Sequence, residues 1–252
     1  MIVMTCSDEK HFKGLDTQFL PSLRETAKFT GLVAVIDYGM TAEQKMRLKK
    51  HDVAVYAAKR QSNIIIPVQR LADYARVLGR SYAAHDRVSL LDSSDVHFQG
   101  PLTELFQKDN MVASPEVNPT RIGDNGSMKR WAHGQFGVRI LQDLAQKPII
   151  NGGMIYGSVE MIRRYCEWAF TQCTQGKFRK FGGADQWILT WAAVENIWPI
   201  EYAGMEKWNY TLCCVNPDYR GGKVFDKGGG VPAVIHKNGG GGTAPNVHWE
   251  KG

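Results

Sequence analysis

No run of about 18 apolar residues occurs in this 252-residue chain, so a membrane-spanning helix is not expected. Its start, Met1-Ile-Val-Met-Thr-Cys6-Ser7-Asp8, has neither a basic n-region nor an apolar h-region of signal-peptide length, which makes a cytoplasmic location the expectation. No Gly-x-Gly-x-x-Gly follows the first apolar run, and no Gly-x-x-x-x-Gly-Lys-Ser/Thr occurs. A dinucleotide-binding dehydrogenase and a P-loop NTPase are both disfavoured. The five cysteines form no Cys-x-x-Cys pair. Cys166 and Cys173 lie in a helical pattern and Cys213-Cys214 in an apolar run, so packing explains them better than a zinc site or a disulfide framework. Asn125-Gly-Ser127 and Asn209-Tyr-Thr211 match the glycosylation sequon, and without a secretory signal both read as chance matches.

What is present suits a folded protein: 43% hydrophobic and 22% charged residues exclude a disordered chain. Lysine and arginine number 31 against 25 acidic residues, a net charge of +6. Ten basic and three acidic residues lie between Lys45 and Arg87, so that stretch carries the excess. Such localisation suggests an anion site or one basic solvated face rather than a coat for nucleic acid.

Short apolar runs at Ile2 to Cys6, Leu32 to Ile36, Val53 to Ala57 and Val88 to Leu91 have strand length. Helical patterns separate them: Asp16 to Phe29, Thr41 to Lys50 opened by the capping box Thr41-Ala-Glu-Gln44, and Pro67 to Leu78. This alternation predicts a parallel sheet covered by helices, with ligands beyond the carboxyl ends of its strands. From residue 100 on the pattern becomes α+β. A surface loop is expected from Ser114 to Lys129, and then a helix from Trp131 to Ala145. A strand from Pro148 to Tyr156, helices from Val159 to Gln175 and Ala184 to Glu195, and a strand from Tyr210 to Val215 follow. The glycine-rich tail from Gly221 to Gly242 reads as a flexible loop, a strand ending in His236 and a second loop.

Asp92-Ser-Ser-Asp95 ends the fourth strand. Two carboxylates at a sheet edge repel unless a cation or hydrogen-bond donors compensate them, and hard oxygen ligands suit Mg²⁺ or Mn²⁺. The same four residues are also good turn chemistry. Asn151-Gly-Gly153 interrupts a strand where glycine permits close approach to the backbone. Gly182-Gly-Ala-Asp185-Gln186 opens a helix, with Asp185 readable either as an N-cap or as a functional carboxylate.

The ordered series Asp-x-x-Asp, Asn-x-Gly, Asp-Gln and late His-x-x-Gly resembles metal-dependent glycosyltransferases of the GT-A fold. The family concerned includes glycogenin and the bacterial lipopolysaccharide galactosyltransferases. Tyr74-Ala-Arg76 stands where that family has the same tripeptide, and the resemblance runs from Met1 to about Gly239. It implies an α/β fold of GT-A type: one domain over 1–252, with a Rossmann-like, mostly parallel nucleotide-binding half over 1–100. A smaller α+β acceptor-side half with the glycine-rich loop would cover 101–252. It implies transfer of a sugar from a nucleotide diphosphate sugar, UDP being the expected nucleotide, to a hydroxyl of a glycan or glycoprotein, with retention. Mn²⁺ or Mg²⁺ would be held by Asp92, Asp95 and His236. Arg76, Asn151, Gly239, Thr5 and Cys6 would contact the donor together with Asp92, and Asp185 and Gln186 would stand at the reacting sugar.

Two departures leave alternatives open. The family has Asp-x-Asp, so either Asp92 acts with Ser94, or Asp95 is the second ligand and Asp92 is displaced. The family's lysine and tryptophan after the late glycine are replaced by Gly240 to Gly242, and Lys237 is the substitute cation. A sugar nucleotidyltransferase and a non-catalytic nucleotide- or glycan-binding module are the rival readings.

Overall fold

The computed structural model describes residues 1–117, 121–136, 142–175, 180, 182–212 and 217–237. Strand β1 (Ile2–Ser7) is flanked in the sheet by β2 (Leu32–Asp37), with β3 (Val53–Ala57) beyond it, and on the other side by β4 (Arg87–Leu91). These four run parallel. The chain builds outward from β1 to β3 and returns to β4, so strand order reverses between β1 and β4. Such a reversal opens a crevice at the carboxyl ends of the strands.

Ile2 and Met4 enter one core and Val3 the other, as the two-residue period of a strand requires. Because both faces are covered, β1 and β2 read as continuous apolar runs. One face carries residues 12–29, in which an α-turn at Phe12–Gly14 leads into wide turns at Leu15–Phe19 and Ser22–Thr26. The helical expectation there holds in kind but begins too late. Helix α1 (Ala42–Lys49) has the expected capping box from Thr41 and Gln44, and α2 (Ile66–Ser81) has Pro67 in its first turn.

After β5 (Val96–Phe98) the chain enters β6 (Met111–Pro115), a fully buried strand of the main sheet. Here the expected loop beginning at Ser114 is corrected, since Ser114 and Pro115 complete that strand. A five-residue run ending in proline has too little periodicity to announce itself. Helix α3 (Gly126–Phe136) starts before the expected Trp131, capped by Asn125, whose side chain accepts from the N–H groups of Ser127 and Met128. Strand β7 (Ile150–Ser158) runs antiparallel to both β4 and β6. Its pairing with β6 shifts register over Gly152 to Met154. Helices α4 (Val159–Thr174) and α5 (Ala184–Val194) share with α2 the core on the opposite face from residues 12–29. Cys166 and Cys173 are buried in that core as free thiols.

With β8 (Ile200–Glu201) the seven-stranded order is β3-β2-β1-β4-β7-β6-β8. A second sheet joins β5, β9 (Tyr210–Thr211) and β12 (Val234–His236), with β12 central. Between them β10 (Asp218–Arg220) and β11 (Lys223–Phe225) form a hairpin through Gly221 and Gly222. Their φ values of 55° and 75° are those of the tight turn suited to strand twist, so the first tail loop is partly a hairpin. Cys213 and Cys214, and the second tail loop with Gly239, lie outside the described residues. Among the described residues no helix is long and apolar enough to cross a membrane.

Candidate active site

The acidic turn follows β4 and is tied down on three sides. Asp92 donates its backbone N–H to the Gly153 carbonyl at 3.0 Å. Ser93 donates its hydroxyl to the Cys6 carbonyl at 2.9 Å, fastening the turn to the end of β1. Ser94 lies against residue 14, where a Cβ would come within 2.2 Å of the Ser94 carbonyl oxygen. The additional residue of Asp-x-x-Asp therefore fits over the bare backbone of Gly14.

Pairing of β12 with β5 sets His236 opposite Val96, next in the chain to Asp95. His236 is 1% exposed. Its Nε2 lies 3.5 Å from Asp92 Oδ2 and 3.4 Å from Asp95 Oδ2. Nδ1 lies 3.2 Å from Asn151 Oδ1, an oxygen that also accepts from Gly153 N and Asn209 Nδ2, each at 2.8 Å. An amide oxygen only accepts, so Nδ1 carries a proton toward Asn151, and Nε2 faces the carboxylates. Burial opposes protonation of His236, but Asp95 and Asp92 outweigh it and raise the pKa above the usual histidine value.

Ligand atoms of Asp92, Asp95 and His236 all lie within 4.8 Å of one another. The two carboxylates thus reach the same place despite their unusual spacing. Carboxylate oxygens with one imidazole held in a fixed tautomer fit a divalent cation such as Mn²⁺.

Asp185 stands in the first turn of α5, but the N-cap is Gly183, with φ 85°, where a Cβ would strike the Trp131 ring. The plain N-cap reading of Asp185 is thereby corrected. Its Oδ2 accepts from Arg70 Nη2 at 2.9 Å, while Arg70 Nη1 donates to Asp92 Oδ1. Burial raises the Asp185 pKa and Arg70 partly offsets this. Gln186 donates Nε2 to Glu116 Oε1 at 2.7 Å, and Asn151 Nδ2 lies 3.4 Å from the same oxygen.

The fold thus brings together Asp92, Asp95, Asn151, Asp185, Gln186 and His236. Lys237 follows directly, donating its N–H to the Asp95 carbonyl at 2.9 Å, and burial lowers its pKa although Asp95 opposes this. Cys6 is half-buried at the end of β1, its thiol pKa raised by burial against the pull of Arg70. Thr5 is buried within the sheet, and its hydroxyl has no hydrogen-bond partner among the described residues. Arg76 is placed elsewhere, with Nη2 3.0 Å from Asp73 Oδ1. Arg70, Glu116 and Asn209 are site residues that the sequence reading misses. Arg70 had a signal in its membership of the basic stretch, whereas Glu116 and Asn209 had none.

A cleft of about 1220 Å³ opens at the same carboxyl edge of the sheet, lined by Asp8 and His11 after β1, Tyr38 after β2, and Arg60 and Ile65 after β3. The imidazole Nδ1 of His11 lies 2.7 Å from Asp8 Oδ1. A smaller pocket of about 320 Å³ is lined by Glu116, Glu206, Tyr210 and Asp226. The glycines of Asn151-Gly-Gly153 serve the protein's own side chains: a Cβ on Gly152 would lie 3.1 Å from that of Gln186, and one on Gly153 would meet His236.

No protein-family model and no curated protein matches the sequence. Solved structures do match. The galactosyltransferase LgtC, in complex with donor and acceptor sugar analogs, is 20% identical over 95% of this chain and 87% of that one, with a TM-score of 0.61. The bifunctional glycosyltransferase WbbM is 13% identical over 95% of this chain and 46% of its own, with a TM-score of 0.65. GlyE of Streptococcus pneumoniae TIGR4, a glycosyltransferase, is 14% identical over 93% of this chain and 53% of its own, with a TM-score of 0.54. By sheet order and by these likenesses the chain has the GT-A fold, the fold that its motifs resemble.

Proposed function

We propose that this chain is a glycosyltransferase moving a sugar from a nucleotide diphosphate sugar, with UDP as the nucleotide, to a hydroxyl of a glycan or glycoconjugate acceptor. The observation carrying this reading is the convergence of Asp92, Asp95 and His236 at the carboxyl edge of the sheet, the edge on which the large cleft also opens. The glycosyltransferase neighbours support it.

In this reading Asp92, Asp95 and His236 hold Mn²⁺ or Mg²⁺. A cation held there would supply positive charge to a departing diphosphate. The nucleotide lies in the cleft after β1, β2 and β3. Arg70, and not Arg76, is the arginine at the acidic cluster, where it holds Asp92 and Asp185, and Lys237 adds positive charge toward the donor. Asn151 keeps His236 in the tautomer that a metal requires. Asp185 stands beside the anomeric carbon, where its charge stabilises positive charge developing on the sugar, and Gln186 is oriented by Glu116 at the same carbon. The pocket at Glu116 and Tyr210 receives the acceptor hydroxyl, and transfer proceeds with retention.

Thermal shift with UDP, with and without Mn²⁺, tests the reading. Ligand at 100 times its dissociation constant stabilises by about 2.7 kcal/mol. Release of free sugar from UDP-sugars without acceptor separates an enzyme from a binding module. Pyrophosphate release from a nucleoside triphosphate and a sugar phosphate would identify a nucleotidyltransferase instead. No shift with any nucleotide diphosphate would refute the proposal.

A further inference from the structure

Resting on the metal reading of the site, we infer that Arg70 is a positioning residue: it orients Asp92 for the divalent cation and couples that carboxylate to Asp185. Its side chain is 14% exposed, and the guanidinium divides its two ends between two carboxylates, Nη1 to Asp92 and Nη2 to Asp185. The oxygen that Arg70 takes on Asp92 is Oδ1, and the oxygen facing His236 Nε2 is Oδ2. A guanidinium competing with the cation would sit on the Oδ2 side. Arg70 instead holds the far oxygen and leaves the near one turned toward Asp95 and His236.

Two carboxylates brought this close would repel, and one would turn away or take up a proton. Arg70 removes that conflict with a planar fork that makes both bonds at once, a geometry that a single ammonium cannot reproduce. The acidic turn from β4 and the first turn of α5 are thereby locked to one helix, α2. Partners that orient metal ligands in this way are worth roughly ten- to hundredfold in metal affinity.

The test measures Mn²⁺ affinity by calorimetry or electron paramagnetic resonance on the full chain without nucleotide, with the melting temperature of each metal-free protein as the folding control. Arg70→Gln should bind Mn²⁺ on the order of ten- to hundredfold more weakly. Arg70→Lys keeps the charge but not the fork and should remain weakened. Bulk electrostatics makes the opposite prediction for Arg70→Gln, because removing a cation strengthens a cation site. Parental or tighter binding in Arg70→Gln, or full recovery in Arg70→Lys, overturns the inference and leaves the proposed function standing. Absence of Mn²⁺ binding by the parent overturns both. Should Arg70→Gln not fold, the double variant Arg70→Gln/Asp185→Asn removes one of the facing charges, and comparison with Asp185→Asn supplies the same reading. Equal affinities in that pair also overturn the inference.

Discussion

The imidazole of His236 fills the space that a side chain at residue 153 would need: a Cβ on Gly153 would lie 2.0 Å from His236 Cε1 and 2.4 Å from Nδ1. Glycine in β7 is therefore a condition for the histidine to lie between Asn151 and the acidic turn. Gly153→Ala should push the ring off Asn151 and out of reach of the carboxylates. The expected result is a folded protein, destabilised by about 1–3 kcal/mol as in other overpacked cores, with Mn²⁺ affinity reduced at least tenfold. Calorimetry of metal binding alongside thermal unfolding checks it, and parental affinity would contradict it.

Removal of metal should abolish transfer. Asp95→Ala and His236→Ala should each do the same in metal-containing buffer, because each takes away a donor atom of a three-residue cluster. The measurement is UDP release from UDP-sugar with and without EDTA. Full activity in EDTA sinks the metal reading.

Asp185→Asn isolates the negative charge from the fold. Gly183 and not Asp185 caps α5, so the helix should keep its cap. The melting temperature should stay within a few degrees of the parent, while transfer falls on the order of a hundredfold, the scale of one positioned catalytic group. Near-parental turnover would move the catalytic assignment to Gln186 or elsewhere.

Arg76 acts at a distance from the acidic cluster. It braces Asp73, which accepts from the Tyr38 hydroxyl at 2.7 Å and from Gln69 Nε2 at 3.1 Å, and Gln69 in turn donates to the Lys59 carbonyl at 2.8 Å. Tyr38 belongs to the wall of the large cleft. Arg76→Ala should weaken UDP binding several-fold with Mn²⁺ affinity unaltered, and Arg76→Lys should recover most of it. Isothermal titration with each ligand separates the two effects.

Asp37, at the end of β2, accepts from the N–H groups of Met40 at 2.6 Å and Gly39 at 2.8 Å and from Lys45 Nζ at 3.1 Å. Burial raises its pKa, but these donors outweigh burial and leave it below the usual aspartate value. A lowered carboxylate pKa contributes stability that is present above the unfolded pKa and lost as pH falls through the folded one. Asp37→Asn should therefore cost about 1–2 kcal/mol at neutral pH, and the difference should shrink in acid. Urea unfolding of both proteins from neutral pH down to about pH 2, past the free aspartate value of about 3.9, measures it.

The sequence by itself determined the first four strands, α1, α2, α4, α5 and the late strand ending in His236, because apolar periodicity and capping are local. Asp92, Asp95, Asn151, Asp185, Gln186 and His236 were legible through the order of short motifs along the chain, Asp-x-x-Asp, Asn-x-Gly, Asp-Gln and His-x-x-Gly, which resembles that of the GT-A glycosyltransferases. Strand β6 was not legible, since its burial comes from β7 and β8, which lie far along the chain. Tertiary structure alone decided between Arg70 and Arg76. Both lie on α2, and six residues at about 100° each set them about 120° apart around the helix. Which direction faces the acidic turn depends on how α2 lies on the sheet. Glu116 and Asn209 became site residues only by packing, as lone polar residues whose partners, Gln186 and Asn151, are brought to them by α5 and β7.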